Sequence, residues 1–235
     1  RIGELYGGGV IYWVNPEDEN DFRVVSLDQA PSQLKWAAST SYVLGSGAWD
    51  ITARNGADVW KIAKQYSDNQ TNGASGTFAT DFPAFSYCYE KTDGGVSKGT
   101  WYLPSLRELL DLYSAKGSVE SVITANGGIA LSSGYYCSAT EFSSDNGSLW
   151  KVSISYGGTT STPKTSSAYV RCVRGKCRYD AIGARSSDDT GFRSLSLGLP
   201  AAGAGLSYRA PRAGAIPGMT GERGDGKEPR ERRDR

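Results

Sequence analysis

Residues 101–113, WYLPSLRELLDLY, form the stretch that most strongly constrains the fold. Ser105 and Glu108 stand at the spacing of a capping box, directly after Pro104, and therefore predict a helix N-terminus. The apolar residues that follow recur at positions i, i+3, i+4 and i+7 and predict one buried helix face: Leu106, Leu109, Leu110 and Tyr113. We expect this helix to end at Gly117, because glycine favours the left-handed conformation that closes many helices.

Two further elements are predicted on the N-terminal side of this helix. Residues 7–27 predict a β-hairpin, because β-rich runs at Val10–Val14 and Phe22–Leu27 flank a segment rich in Asn, Pro and Asp. Residues 55–66, NGADVWKIAKQY, predict a second helix, and residues 67–77 predict a polar loop. The buried face of the second helix is expected to carry Val59, Ile62, Ala63 and Tyr66.

Three strand-like runs follow at residues 135–140, 149–155 and 168–174. Alternation divides the second run into a core-facing set and a solvent-facing set: Trp150, Val152 and Ile154, and Lys151, Ser153 and Ser155. It divides the third run into two opposite sets: Tyr169, Arg171 and Val173, and Val170, Cys172 and Arg174. Helices and strands in separate parts of the chain predict an α+β domain.

Composition divides the chain near residue 177. Residues 1–177 hold 23 of the 26 aromatic residues, including all six Trp, and carry a net charge of −2. Residues 178–235 carry a net charge of +3 and are rich in Gly, Ala, Pro and Arg. We therefore expect a folded domain at 1–177 and a disordered low-complexity tail at 178–235. No apolar run approaches the ~18 residues of a transmembrane helix, so no membrane insertion is expected.

The residue types needed for most catalytic machinery are missing. The chain contains no histidine, so it has no Ser-His-Asp or Cys-His arrangement and no histidine metal ligand. The glycines at 7–9 lack the spacing and the lysine of a phosphate-binding loop. We expect no enzyme activity, no cofactor and no metal. A loose calcium site made of oxygens from Glu141, Asp145 and Asn146 is the alternative.

Five segments, in order, resemble one family. They are GGVIYWV (8–14), WYLPSLRELLDLY (101–113), YYCSATE (135–141), LWKVSISYGG (149–158) and YVRCVR (169–174). They resemble the family of the Lcl C-terminal domain, the ligand-binding domain of a collagen-like bacterial adhesin, over residues 7–174. The resemblance implies a C-type-lectin-like fold, with an N-terminal hairpin, two helices and a small antiparallel sheet. Such domains bind glycans or proteins, and the sugar-binding calcium motifs of C-type lectins do not occur here.

Four cysteines suggest disulfides in an exported protein: Cys88, Cys137, Cys172 and Cys177. Cys137 stands where members of the resembled family usually have Trp. With Cys172 on a neighbouring strand-like run, Cys137 offers a cross-strand disulfide, and Cys88–Cys172 is the alternative.

Residues 132–169 have the composition of a binding surface. Ser, Thr, Tyr and Gly occupy 24 of these 38 positions. Antibody loops use the same residues, because Tyr gives a large contact area at low entropic cost while Ser and Gly adapt. The composition is also similar to that of variable proteins diversified by retroelements. A solvated sheet face is the alternative interpretation. The candidate ligand-binding residues are Tyr135, Tyr136, Ser144, Asp145, Asn146, Trp150, Lys151, Ser153, Ser155, Tyr156 and Thr159.

The sequence thus predicts an extracellular recognition domain of adhesin or receptor type, on a bacterial cell surface or a phage particle. Its expected partner is a glycan or surface protein of a host or target cell, and no nucleic acid. The oligomeric state stays open. One alternative is a domain that binds sulfated glycosaminoglycans through cations: Lys151, Lys164, Arg171, Arg174 and Lys176. The other is a structural module of a surface fibre or phage particle.

Overall fold

The computed structural model describes residues 1–176. Cys177 and the predicted tail at 178–235 lie outside the described residues, so the domain boundary stays a prediction. The described helices are α1 (Gly56–Asp68), α2 (Phe78–Asp81), α3 (Pro83–Glu90) and α4 (Leu106–Ala125). The described strands are β1 (Leu5–Tyr6), β2 (Gly9–Val14), β3 (Phe22–Ser26), β4 (Leu34–Lys35), β5 (Tyr135–Glu141), β6 (Ser148–Ser153), β7 (Thr159–Pro163), β8 (Ser167–Ala168) and β9 (Val173–Lys176). This mixture of helices and antiparallel strands confirms the predicted α+β class. None of the described helices is both long and apolar enough to cross a membrane.

The predicted N-terminal hairpin is confirmed. Strands β2 and β3 pair antiparallel from Gly9 opposite Ser26 to Val14 opposite Phe22. Strand β1 adds to β2 and strand β9 adds to β3, which gives a four-stranded sheet in the order β1-β2-β3-β9. The two ends of the described region therefore meet in one sheet.

Helix α4 begins at the predicted capping box. The Ser105 side chain accepts a hydrogen bond from the Glu108 backbone N–H, and the Glu108 carboxylate accepts one from the Ser105 backbone N–H at 2.8 Å. Glu108 is fully buried, and it also accepts from the Tyr102 hydroxyl at 2.9 Å and from Arg23 Nε at 3.3 Å. The motif glutamate thus joins the start of α4 to the hairpin sheet.

The predicted end of α4 at Gly117 is wrong. The helix continues to Ala125, and Gly117 is exposed within it. Val119 and Ile123 continue the buried stripe beyond Gly117 and are fully buried. Each buried aliphatic side chain contributes about 1.5–3 kcal/mol, which outweighs the ~1 kcal/mol cost of an internal glycine.

The core consists of two buried clusters. One lies along α4, between this helix, the β2–β3 hairpin and the sheet of β5 and β6. The other surrounds Trp36, whose ring lies 5.1 Å from that of Phe85 and 5.7 Å from that of Phe82, centroid to centroid. Phe85 lies in α3, and neither α2 nor α3 was predicted. Helix α1 confirms the second predicted helix and packs on this cluster through Val59, Ala63 and Tyr66.

Residues 168–174 do not form the predicted continuous strand. Ala168 pairs with β4 and Val173 with β3, while the backbone between them bonds to other segments. The Val170 carbonyl accepts from the Ala30 N–H at 3.0 Å, and Tyr169 exchanges backbone hydrogen bonds with strand β5. The alternation in the sequence does not separate a buried side from an exposed side here, because consecutive residues are all buried: Val170, Arg171, Cys172 and Val173.

The disulfide forms between Cys88 in α3 and Cys172, 84 residues apart. The predicted pairing of Cys137 with Cys172 is therefore wrong, and the alternative, Cys88–Cys172, is confirmed. Cys137 is a free, buried thiol, and burial raises its pKa. Lys151 lies opposite it in the β5–β6 register.

Asp81 is expected to make the stability of the domain depend on acid pH. Its buried carboxylate accepts from Ser67 Oγ at 2.5 Å, Ser75 N at 2.8 Å and Gly76 N at 3.1 Å. Burial opposes ionisation, but these hydrogen bonds outweigh it and lower the pKa below the ordinary 3.8. Asp81→Asn should lower the free energy of unfolding at pH 7 by about 2 kcal/mol.

A folded-state pKa below the unfolded value gives stability that is present above pH ~4 and lost as pH falls through the folded pKa. The difference between wild type and Asp81→Asn should therefore shrink between pH 5 and pH 2, as measured by urea unfolding. Asp68→Asn, at an exposed i,i+4 pair with Lys64, is the matched control and should show little change. A constant difference across this pH range would contradict the assignment.

Candidate ligand-binding face

The candidate binding residues lie on a three-stranded antiparallel sheet in the order β5-β6-β7. Its inner face packs against α4 through Tyr136, Val152 and Ile154, all fully buried. Strand β7 was not predicted. It forms an edge of this sheet, with Thr159, Ser161 and Pro163 exposed.

Two predicted ligand-binding residues are wrong, because they are buried. Tyr136 is inaccessible, and its hydroxyl donates to Gln29 Oε1 at 2.7 Å and accepts from the Ser132 N–H at 2.7 Å. Ser153 is also buried. Tyr136 therefore anchors the sheet to the 27–30 segment, and neither side chain reaches a ligand.

A cluster of accessible side chains remains at the end of the sheet, and we call Tyr135, Lys151, Ser155 and Tyr156 the tyrosine face; Ser155 and Tyr156 are exposed, and Tyr135 and Lys151 are half-buried. The hydroxyls of Tyr135 and Tyr156 are hydrogen-bonded, and their rings meet edge to face at a centroid distance of 6.3 Å. Lys151 Nζ lies 5.0 Å from the centroid of the Tyr135 ring, within cation–π range. Tyr156 is 62% exposed, the largest exposed fraction among the large hydrophobic side chains described. The hydrogen bond to Tyr156 raises the pKa of Tyr135, so its hydroxyl is protonated at neutral pH.

The turn that carries Tyr156 packs against helix α4. Gly157 has φ +74°, and its N–H donates to the Ser153 carbonyl at 2.8 Å. A Cβ at Gly157 would lie 2.4 Å from Tyr113 Cε1, so the turn rests directly on the Tyr113 ring. Ser155 Oγ donates to the Ser133 carbonyl at 2.5 Å, which ties the turn to the segment before β5. The face is thus held on a rigid base.

The loop at 142–147 contains the exposed Ser144, Asp145 and Asn146. The Asp145 carboxylate accepts from the Gly147 N–H at 3.0 Å and from Ser148 Oγ at 2.8 Å, and these bonds lower its pKa. Asp145 therefore shapes the loop, while Ser144 and the Asn146 side chain point to solvent. Trp150 is half-buried and packs edge to face on Phe142 at 4.9 Å, which limits its role in binding.

An ammonium group occupies the place of the alternative calcium site. Lys164 is fully buried, and its Nζ donates to Glu141 Oε1 at 2.6 Å and to the carbonyls of Tyr42 at 2.7 Å and Asn146 at 2.6 Å. Among the described residues, no group of acidic or thiol side chains is arranged to hold a metal ion. The Glu141 carboxylate also accepts from the Leu44 N–H, the Gly45 N–H and Trp49 Nε1 at 2.7–3.1 Å. Of the side-chain oxygens expected for calcium, those of Glu141 thus accept from Lys164 and three N–H groups, and those of Asp145 accept from Gly147 and Ser148.

Three of the cations proposed for sulfated glycans are buried, and one of them is Arg174, of which 7% is exposed. Lys164 and Arg171 are fully buried, and Arg171 donates to the Leu27 and Ile129 carbonyls. Sequence reasoning missed Lys164 as the organiser of the binding loops. A single Lys within a Ser/Thr-rich run gives no sign that it is buried.

Comparison with known proteins identifies a family and similar solved structures. The family model described as the Lcl C-terminal domain matches residues 31–174. A fimbrial protein from Bacteroides ovatus ATCC 8483 is similar over 66% of this chain, with a TM-score of 0.49 and 20% sequence identity. This chain covers 35% of the fimbrial protein chain, about a third of its length. No curated protein matches the chain.

Proposed function

This chain belongs to the Lcl C-terminal domain family, and we propose that it is a non-catalytic recognition module of adhesin type, exposed at a bacterial surface or on a phage particle. Its fold is proposed to be C-type-lectin-like, and its partner a glycan or a surface protein. The observation that carries the proposal is the tyrosine face. Tyr156 is exposed and Tyr135 half-buried, their rings are adjacent, and the turn that carries Tyr156 packs on α4.

The chemistry of this face suits recognition without a metal. Two phenol rings and one ammonium give apolar area, hydroxyl groups and one positive charge within a small patch. Such side chains lose little conformational entropy on binding, and aromatic anchors dominate the energetics of interfaces. The pairing of Glu141 with Lys164 supports recognition without calcium. Binding through the tyrosine face should therefore not require a divalent cation.

Diversification of this face by a retroelement is a finer part of the proposal. Its support is composition, since small polar and Tyr residues fill most of residues 132–169. The test is the coding DNA: a nearby near-copy of this region that differs mainly at adenines is expected. Genomic flanks without such a copy would remove this part and leave the recognition module intact.

Removing both phenol rings is expected to weaken binding strongly. The full chain would be applied to an array of glycans, heparin fragments and surface proteins, with calcium or chelator, at two salt concentrations. Tyr135→Ala/Tyr156→Ala should weaken the strongest interaction by about 30-fold or more, since interface anchors contribute at least about 2 kcal/mol. Binding by the wild type should persist in chelator.

Two controls make the result specific. Ile51→Ala removes a side chain that is 50% exposed and lies outside the face, and it should leave binding unchanged. Tyr156→Phe keeps the ring but loses the hydroxyl bond to Tyr135, which separates contact area from hydrogen bonding. An array on which the folded wild type binds nothing would favour the structural-module alternative. Binding that falls steeply with salt and survives the double variant would favour a sulfated-glycan site elsewhere.

A further inference from the structure

A second concave site lies apart from the tyrosine face and shares no residue with it. This pocket has a volume of about 920 Å³ and lies between β1, the first turns of α1, the 95–100 loop and β9. Small-molecule sites typically have volumes of roughly 300–1,000 Å³. The rings of Tyr6, Trp60 and Tyr102 contribute to its walls. The pocket is therefore large enough for a ligand of several rings or for one ring with its substituents.

Positive charge dominates the lining of this pocket. Five cationic side chains and one carboxylate contribute to it: Arg23, Arg54, Lys61, Arg174, Lys176 and Asp58. Three of the cations are paired, since Arg23 contacts Asp21 and Glu108, Arg54 contacts Asp111, and Lys61 contacts Asp58. Arg174 and Lys176 form no ion pair with any residue from 1 to 176. Among residues 1–176, the cations of the pocket without an ion pair are thus Arg174 and Lys176.

Arg174 is the informative member of this pair because it is buried. Only 7% of the residue is exposed, and its Nε has no hydrogen-bond partner within the described region. Its one side-chain hydrogen bond there is a long one, from Nη2 to the Tyr6 carbonyl at 3.5 Å. Burial lowers its pKa, which reflects the cost of removing an unpaired cation from water. A buried guanidinium without a carboxylate is poorly satisfied until an anion reaches it.

The two unpaired cations converge on one aromatic ring. The Arg174 guanidinium carbon and Lys176 Nζ each lie 5.1 Å from the centroid of the Tyr6 ring. A planar guanidinium binds oxyanions with two parallel hydrogen bonds, and an ammonium adds a second point charge. Trp60, half-buried, is a further aromatic residue in the lining of the pocket, and an apolar ring can pack on such a side chain.

From this juxtaposition of unpaired Arg174, Lys176 and an aromatic wall, we infer that the pocket binds a small ring compound bearing a doubly charged oxyanion, namely a phosphate monoester. A phosphate monoester carries a charge of about −1.5 to −2 at pH 7, which matches the two free cations. Its planar or cyclic body would lie against Trp60 and Tyr6. The pocket adds a ligand-binding role that is separate from surface recognition through the tyrosine face.

Isothermal titration calorimetry on the full chain tests the inference with four probes. Phenyl phosphate has both the ring and the double charge, and it should bind tightest. Inorganic phosphate lacks the ring, benzoate carries a single charge, and benzylamine carries the opposite charge. Inorganic phosphate and benzoate should each bind at least about tenfold more weakly than phenyl phosphate, and benzylamine should not bind. Equal affinity for phenyl phosphate and inorganic phosphate, equal affinity for phenyl phosphate and benzoate, or no binding of phenyl phosphate would overturn the inference.

Variants locate the site. Lys176→Gln should weaken phenyl phosphate binding about tenfold, the typical effect of one charge-assisted hydrogen bond. Arg174→Lys keeps the charge but loses the planar fork and should also weaken it. Lys35→Gln is the matched control, because Lys35 is an exposed cation outside the pocket, and it should leave the affinity unchanged. Unchanged binding in folded Lys176→Gln would overturn the assignment, whatever Arg174→Lys does to folding. Unchanged binding in Tyr135→Ala/Tyr156→Ala would support a separate site.

Discussion

Replacing Lys164 by methionine is expected to lower the free energy of unfolding by about 3–5 kcal/mol, because it leaves a buried carboxylate without its cation. Lys164 and Glu141 are both fully buried and lie 2.6 Å apart, Nζ to Oε1. The same ammonium also satisfies the Tyr42 and Asn146 carbonyls. Methionine keeps most of the side-chain volume, so the loss reports the charge and hydrogen bonds. Urea unfolding followed by tryptophan fluorescence measures it.

A double-mutant cycle separates the pair from its surroundings. Glu141→Gln alone leaves an unpaired buried ammonium and should cost a similar amount, whereas Glu141→Gln/Lys164→Met should cost less than the sum of the single variants. Lys61→Met, at the exposed pair with Asp58, is the matched control and should change stability by less than about 1 kcal/mol. Strict additivity of the two single variants would contradict the pairing.

Removing the disulfide is expected to cause the second large loss in the free energy of unfolding. The loop closed by Cys88 and Cys172 spans 84 residues, and the chain-entropy relation gives a stabilisation of about 4.5 kcal/mol for a loop of that length. Cys88→Ala/Cys172→Ala should therefore shift the denaturation midpoint strongly downwards. For a domain whose total stability is typically 5–15 kcal/mol, the loss is a large fraction.

Reduction provides the companion experiment. Dithiothreitol should destabilise the wild type and leave Cys88→Ala/Cys172→Ala unaffected. Cys137→Ala, which removes the free buried thiol, is the matched control: it should remain sensitive to dithiothreitol and lose only the ~1 kcal/mol of a small cavity. A wild type whose midpoint does not respond to reductant would show that the disulfide is absent in solution.

The elements that could be predicted are those determined by residues close together in the sequence. The capping box at Ser105 and Glu108 and the hairpin at 7–27 each depend on residues close together in sequence, and both are confirmed. The end of α4 was not predictable from Gly117, because the continuation depends on contacts that Val119 and Ile123 make with distant strands. The short helices α2 and α3 escaped detection because few residues define their period.

The binding face was predicted in part, for a physical reason that concerns strand burial. Alternation assigns one side of a strand to solvent, but β5 is covered on both sides for most of its length. Tyr135 lies at the open end and stays accessible, whereas Tyr136 and Ser153, the residue opposite Tyr135, are buried. Lys164 was missed because polarity predicts exposure, and its burial depends on a carboxylate 23 residues earlier and two backbone carbonyls.

The contacts of Lys164 with backbone carbonyls have a consequence for how freely this surface can evolve. Lys164 holds the 142–147 loop by the Asn146 carbonyl and the 42–45 segment by the Tyr42 carbonyl, and both are main-chain atoms that every amino acid provides. The identity of the side chain at position 146 therefore does not affect the hydrogen bond to Lys164. Selection can exchange the outward-pointing residues of this loop while its path through space is inherited unchanged. Within this one loop, the backbone contact with Lys164 must be conserved, whereas the side chain at position 146 can vary.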